Sequence, residues 1–388
     1  MAYDPFDPEV IADPYSAYRK LLRVDGPYHD DRHDVWVLSR YDHVRDGARQ
    51  HDVLSSAEGI TYARVGLPMM ITMDPPDHTR LRRLVSRDFT PRAIQSWRPM
   101  VERLVDELLD EVLDPAGCDL ATQVFTPLPI MVIANVMGIP AEDRVQFKEW
   151  SDGVVRAFNL LGEGDDVDAV PVMQAISGLS NYFHALFDDR RAHPRQDDLV
   201  TKLMAPNNGD ELTADELFWF CFLLLIAGNE TTTNLLGNLF AALVAFPDQF
   251  ALLRSKPELV PAAVEEALRF DTPLQGFFRT ATTDYDVEGT LIPAKSRVLL
   301  LYGAANRDPR HWEEPDRYLV ERAPEDHLTF SSGIHYCLGA NLARVEIATL
   351  LTSVLERTSN VVLRGEIVRT HNATIRGVEH FPAELVGT

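Results

Sequence analysis

Helical periodicity organises most of this chain. Apolar residues recur at three- and four-residue spacing over Met100–Val112, Leu128–Met137, Ala175–Arg190, Leu217–Ala245, Leu259–Phe270 and Leu342–Arg357, the repeat that lays one apolar stripe along a helix. Strand-like runs are fewer and shorter: Val35–Leu38, Thr280–Val287, Ser296–Leu301 and Val361–Val368. The pattern predicts a mainly α protein with small β-sheets, an α+β class in which sheet is the minor component. Thr213-Ala214-Asp215-Glu216 has the form of a capping box, and Pro247 follows the end of the apolar stretch it opens. The helix between them is expected to exceed about thirty residues, where the usual mean is about eleven or twelve, and reads as a spine through the core.

Composition narrows the possibilities. The 388 residues are 45% hydrophobic, enough for a large core, and length alone would suggest two or three domains. No Gly/Ser linker, low-complexity tract or internal repeat divides them, and the 25 prolines are spread along the chain, so one continuous domain over residues 1–388 is expected. With 37 basic and 59 acidic residues the formal charge is −22, which repels nucleic acid and anionic membrane surfaces. Cys118, Cys221 and Cys337 are too scattered for a disulfide framework and contain no CxxC pair, which fits a reducing cytoplasm. The opening residues Met1 to Pro8 show neither a signal peptide nor an anchor, and the apolar run Leu217–Ala227 is far short of the roughly twenty residues that span a bilayer. That run is expected to be a buried helix.

Four local patterns carry candidate chemistry. In Phe330-Ser331-Ser332-Gly333-Ile334-His335-Tyr336-Cys337-Leu338-Gly339, a cysteine stands between glycines at the start of a helical stretch. Gly333 and Gly339 let the backbone turn and a flat ligand approach, and the helix N-terminus favours a thiolate at Cys337. Taken alone, such a cysteine is more often a small buried hydrophobe. Ala227-Gly228-Asn229-Glu230-Thr231-Thr232-Thr233 places a glycine, an acid and hydroxyls inside the long helix. By itself it is a kink with threonine hydroxyls bonded back to the preceding turn. Glu266 and Arg269 lie one helical turn apart and can pair. His78 and Arg82, four apart, share a helix face that is otherwise readable as a solvated basic surface.

Phe330, Gly333, Cys337 and Gly339 meet the pattern FxxGxxxCxG, and with His335 and the continuation Leu342-Ala343-Arg344 the chain resembles the cytochrome P-450 haem-thiolate monooxygenases of soluble bacterial type. The resemblance covers essentially the whole chain from Asp13-Pro14-Tyr15, with the motifs in family order. It implies a triangular-prism domain around a buried haem b, with Cys337 as the axial thiolate on iron. Ala227 and Gly228 would border the dioxygen site, and Glu230 and Thr231 would be the acid and alcohol that deliver its protons. His78, Arg82, Arg279 and His335 would hold the haem propionates, and Glu266 and Arg269 would lock onto Arg322. Two departures stand out: Ser331 replaces a common glycine, and Tyr318-Leu319 replace Phe-Asp, which is expected to alter local hydrogen bonding.

The same resemblance implies electrons from NAD(P)H through a ferredoxin or flavodoxin docked on the cysteine side, with Arg83 and Arg87 as docking candidates, and a monomer. It draws the substrate pocket from Gly59–Met70, Val154–Leu161, Leu223–Ala227, Leu274–Phe278 and Thr374–Arg376. These are mostly apolar and aromatic, which suits a small hydrophobic molecule such as a terpenoid, a fatty acyl chain or a substituted aromatic. Arg64 could meet a substrate carboxylate but is more simply solvated. The expected reaction is insertion of one dioxygen atom into a C–H bond. A peroxide-driven peroxygenase and a noncatalytic haem sensor are the alternatives, and the Glu230-Thr231 pair weighs against both.

Overall fold

Local chemistry sets the helix starts. Thr90 accepts from the Ala93 amide with Pro91 at the first helical position, and Thr213 and Glu216 cap each other's amides reciprocally. The computed structural model describes residues 3–113, 117–163 and 169–387. In chain order its helices are α1 (Pro8–Ala12), α2 (Pro14–Leu21), α3 (Tyr41–Arg49), α4 (Asp77–Ser86), α5 (Pro91–Val112), α6 (Pro127–Val136) and α7 (Arg144–Glu163). There follow α8 (Ala169–Ala192), α9 (Leu199–Met204), α10 (Ala214–Ala245), α11 (Pro247–Ser255), α12 (Val260–Phe270), α13 (Tyr302–Ala305) and α14 (Ala340–Arg357).

The spine is α10, 32 residues long, packed against α6, α7, α8, α12 and α14. On either side of the polar stretch Asn229–Asn234 its apolar residues face all round, as in a helix surrounded by helices. No single described helix is long and apolar enough to cross a membrane; α10 and α11 together reach that composition only across a 100° bend. One hydrophobic core joins these helices, and two smaller ones lie under the sheet and the N-terminal segment.

Sheet is confined to the margins. β1 (Tyr28–Asp30), β2 (Val35–Leu38), β3 (Leu54–Ser55), β5 (Phe277–Ala281) and β8 (Arg297–Leu300) form a five-stranded sheet in the order β1-β2-β8-β5-β3, with only β2 and β8 parallel. β4 (Cys118–Asp119), β9 (Thr358–Leu363) and β12 (Pro382–Gly387) form a second sheet, while β6 (Tyr285–Val287) with β7 (Thr290–Ile292) and β10 (Val368–Arg369) with β11 (Val378–His380) make two small pairs.

The mainly α class with small sheets is what the structure shows. Boundaries differ where a chain reversal interrupts an apolar run. The stretch Thr280–Val287 is two strands, because a turn at 282–284 carries β6 into its own hairpin with β7. Val361–Val368 likewise splits, since the chain turns after Leu363 and Val368 joins β11. Helix α5 runs on through Pro99 for nine residues N-terminal to Met100, Thr90 and Pro91 supplying a start strong enough to carry it.

Candidate active site

The loop Phe330 to Gly339 folds back on itself: the Cys337 amide donates to Phe330 O (2.9 Å) and the Tyr336 amide to Gly333 O (3.2 Å). Gly333 has φ +73°, and a Cβ there would meet Ala48 O at 2.9 Å, so both conformation and space require glycine. Ser331 adopts φ +60°, the region for which glycine is the usual choice, and its hydroxyl shares a 3.0 Å hydrogen bond with Tyr302 Oη. The departure at Ser331 thus exchanges backbone ease for a side-chain anchor.

Cys337 lies just before α14, where the amides of Gly339 and Ala340 hydrogen-bond its sulfur. Burial nonetheless pushes its thiol upward, outweighing those amides and the Arg82 and Arg344 guanidiniums. Desolvation thus opposes the thiolate that the helix terminus favours, and a bound metal cation is the kind of partner that would offset it.

A clamp of buried charge holds the segment that leads into this loop. Glu266 and Arg269 on α12 are fully buried and joined bidentately at 2.7 and 2.8 Å, and Arg322 Nε reaches Glu266 at 3.0 Å. The Leu319 amide donates to the same carboxylate (3.0 Å), and the Tyr318 hydroxyl to Ala263 O (2.9 Å), so the departure at Tyr318-Leu319 keeps the contact through backbone. Beside it, Glu265 takes two hydrogen bonds from Arg344, at 2.6 and 2.9 Å, and one of 3.1 Å from His327. Burial opposes the charge on Glu265, but Arg344 and His327 overcome it and hold the carboxyl down at about 2.

Cys337 opens on a partly open cavity lined mainly by apolar side chains, the usual make-up of a small-molecule site. Its lining brings together Cys337, Gly339, Phe330, His335, His78, Arg82, Ala227, Gly228 and Thr231, residues spread over 260 positions of sequence. The His78 and His335 rings lie 4.5 Å apart, tilted by 60°, Ser56 Oγ lies 3.2 Å from His335 Nε2, and His78 Nδ1 is buried without a partner. Burial, then Arg279, His78 and Arg82, push His335 down to about 3; burial likewise lowers His78, Arg82 and Arg279. Among the described residues no carboxylate lines the cavity. The Arg82 guanidinium and the two imidazoles as hydrogen-bond donors, set beside a thiol, suit a ligand that combines a metal with carboxylates of its own.

Two predicted residues do not line the cavity. Arg279 lies behind the lining, its guanidinium donating to Phe278 O at 2.8 Å, and acts on the site through His335. Glu230 is half-buried on the flank of α10, next to the lining residue Thr231. The Thr231 hydroxyl donates to Ala227 O at 2.7 Å, and α10 continues through it as a helix. A Cβ on Gly228 would meet the Cδ1 end of Ile133 of α6 at 2.9 Å, so α6 and α10 pack closely at that glycine.

The substrate-pocket reading needs more correction. Of Gly59–Met70 only Met70 reaches the cavity; residues 59–61 are instead pinned against the sheet by Arg297, which donates to Gly59 O (2.8 Å) and Thr61 O. Leu274 and Phe277 line it, whereas Thr374–Arg376 lie one layer back. Of Val154–Leu161, Val154 is buried in the core and the side chains of residues 155–161 lie outside the described residues. Arg64 pairs with Glu58 and donates to Lys295 O (2.7 Å), away from the cavity. Arg83 is paired with Asp210 at 2.8 Å and Arg87 is bonded to Lys202 O at 2.6 Å, so neither is a free surface cation.

Sequence reasoning missed Phe220, Leu235 and Phe89. The first two were within reach: 220, 224, 227, 231 and 235 repeat at helical spacing on the Thr231 face of α10. Phe89 had no sequence signal, because it reaches the cavity through the packing of α4 and α5.

Comparison with known proteins agrees with this geometry. The cytochrome P450 family profile matches residues 251–374. The beta-dihydromenaquinone-9 omega-hydroxylase of Mycobacterium tuberculosis is 40% identical over 378 residues, covering 97% of this chain and 77% of that protein. The structure of cytochrome P450 CYP109Q5 from Chondromyces apiculatus superposes with a TM-score of 0.90 at 32% identity, covering 100% of this chain and 99% of that one. CYP109E1 of Bacillus megaterium in complex with testosterone gives a TM-score of 0.87 at 33% identity, over 96% of this chain and 99% of that one. With its cysteine loop, buried charge clamp and cation-lined cavity in one fold, the chain belongs to the cytochrome P450 family of monooxygenases, whose members carry a haem-thiolate cofactor and act on small substrates with the help of redox partners.

Proposed function

We propose that the chain binds haem b through Cys337 and inserts one atom of dioxygen into a C–H bond of a neutral hydrophobic molecule, with electrons from NAD(P)H delivered by a ferredoxin or flavodoxin. The observation that carries this reading is the polarity of the cavity: a thiol, two histidines and Arg82 in one part, and apolar side chains such as Leu223, Leu224, Leu274 and Phe277 elsewhere. The haem supplies the iron at which dioxygen is reduced and split. Two carboxylates on the cofactor would complement Arg82, His78 and His335, whose buried polar atoms otherwise lack acidic partners. Arg279 would add to the positive potential from behind.

Thr231 presents a hydroxyl at the cavity wall, held there by Ala227 O, where it can pass a proton inward; Glu230, one residue earlier on the same turn, is the acid that can replenish it. The apolar part of the lining excludes water and offers no charged group for a substrate carboxylate to meet. A neutral isoprenoid or steroid-like skeleton fits that lining. The relatives named for dihydromenaquinone and testosterone lie in the same chemical range. The chain would act as one haem domain and as a monomer.

A spectral titration tests the reading. In the reduced, carbon monoxide-bound protein, thiolate ligation by Cys337 gives a strongly red-shifted Soret band, which Cys337→Ala removes. Neutral isoprenoids or steroids should convert the ferric form from low to high spin, and a carbonyl band of the histidine-ligated kind in fresh protein would reject the proposal. Turnover with hydrogen peroxide alone, matching the reductase-supported rate, would favour the peroxygenase.

A further inference from the structure

Part of the cavity wall is a short piece of backbone held from behind. Pro273 and Leu274 line the cavity, and this segment is laddered to residues 374–376: Leu274 bridges Ile375, the Gln275 amide donates to Thr374 O (2.7 Å), and the Arg376 amide to Pro273 O (2.8 Å). Three backbone contacts cannot fix such a wall alone, so its position depends on what stands behind it.

Behind it is Asp271, buried where α12 ends. Its carboxylate receives Arg376 Nε at 2.9 Å and the Tyr15 hydroxyl, with Arg369 Nη1 at 3.3 Å. Burial pushes this carboxyl upward, but Arg376 and Arg369 outweigh it and keep Asp271 ionised. Arg376 also donates to Ala12 O at 3.2 Å, which joins the N-terminal segment to the cluster.

The same cluster is fastened to α10. Asn238, seven residues beyond Thr231, donates through Nδ2 to Asp271 O (2.8 Å) and Arg376 O (2.9 Å) and accepts from Arg369 Nη1 (2.6 Å). Both ends of its amide are engaged, which leaves it a single orientation. Gly377 rests directly on the helix: a Cβ there would fall 1.7 Å from Asn234 Oδ1. The wall and the turn bearing Thr231 are therefore parts of one body.

We propose that Asp271 is a positioning residue, which with Arg376, Tyr15 and Asn238 fixes the Pro273–Leu274 wall against α10 and so sets where a substrate's reacting carbon lies relative to Thr231. The proposal rests on the haem-thiolate reading above. A displacement of about 1 Å at a substrate-positioning surface is enough to change rates by on the order of 10²-fold. A neutral amide at 271 would accept from one guanidinium and leave the other unmatched, which frees Arg376 and the ladder it carries.

Azole binding to the purified holoenzyme tests this without a known substrate. Imidazole and 4-phenylimidazole would both shift the ferric Soret band by coordinating the iron, and the added phenyl ring is the part that would probe the lining to which Pro273 and Leu274 belong. In Asp271→Asn the ratio of their dissociation constants should change by about tenfold, equivalent to about 1.4 kcal/mol, while that of imidazole stays within about twofold. Tyr15→Phe should move the ratio the same way by less, and it decides the matter if Asp271→Asn does not fold. An unchanged ratio, with or without a lowered melting temperature, would show that the cluster only stabilises the fold and would overturn the proposal. A wild-type protein giving no azole shift would fail the haem reading instead.

Discussion

Behind the Cys337 loop and the segment leading into it stand ion pairs, Glu266 with Arg269 and Arg322 and Glu265 with Arg344 and His327, whereas around Leu223 and Leu224 the cavity is framed by packed apolar side chains. The first region has directional bonds that tolerate little movement. The second has contacts that many combinations of side chains could supply. A bonded metal ligand must be held to a fraction of an ångström, and a hydrophobic substrate needs only a surface of suitable shape, so directional chemistry is spent where the geometry must not vary.

The largest break in that contrast should come from Glu266→Ala. It leaves Arg269 buried and unpaired and should destabilise the fold by about 3–5 kcal/mol, read from the denaturant midpoint. Leu225→Ala, equally buried on α10, should cost about 2–5 kcal/mol, and a Glu266→Ala loss below about 1 kcal/mol would show that the ion pair has no special weight. Thr231→Ala touches chemistry alone: product formed per NADPH consumed should drop, with product formation falling on the order of 10²-fold and the carbonyl band unchanged. If that ratio holds at its wild-type value, the hydroxyl does not manage protons.

Arg82→Met keeps the volume and removes the charge. Loss of a charge-assisted contact of about 1.5–3 kcal/mol should speed haem transfer to apomyoglobin by about tenfold or more, and an unchanged rate would remove Arg82 from the propionate site. The smallest effect is in acid. Glu265 is held at about 2, below a free carboxyl, so as pH falls the unfolded chain takes up the proton first. Its contribution is whole above about pH 4.5 and is lost as pH falls through about 2. Glu265→Gln should flatten the stability profile in that window, and a profile with the wild-type slope would place the acid sensitivity elsewhere.

The same contrast explains what could be read beforehand. Cys337, His78, Arg82, Thr231 and the Glu266–Arg269–Arg322 clamp were legible because fixed spacings carry them, and the structure assembles them. The capping box at Thr213 and the length of α10 were legible from local rules. The wall was not: residues 59–69 looked as apolar as a pocket needs, but the buried guanidinium of Arg297 holds the start of that loop against the sheet. The partners of Arg83 and Arg87 were equally hidden, since Asp210 and Lys202 come from far along the chain. Strand limits at Thr282 and Leu363 failed because apolar runs continue through turns that only tertiary pairing reveals.

The bond from Arg376 to Ala12 O spans 364 positions, and beside it Asp271 is held by both Arg376 and Tyr15. During synthesis the helices around α10 can begin to gather as they emerge, since their partners are nearby in sequence, but contacts of such separation form slowly and late. Ala12 and Tyr15 cannot take up these bonds until Arg376 and Asp271 have been made, so a contact of early residues waits for late ones.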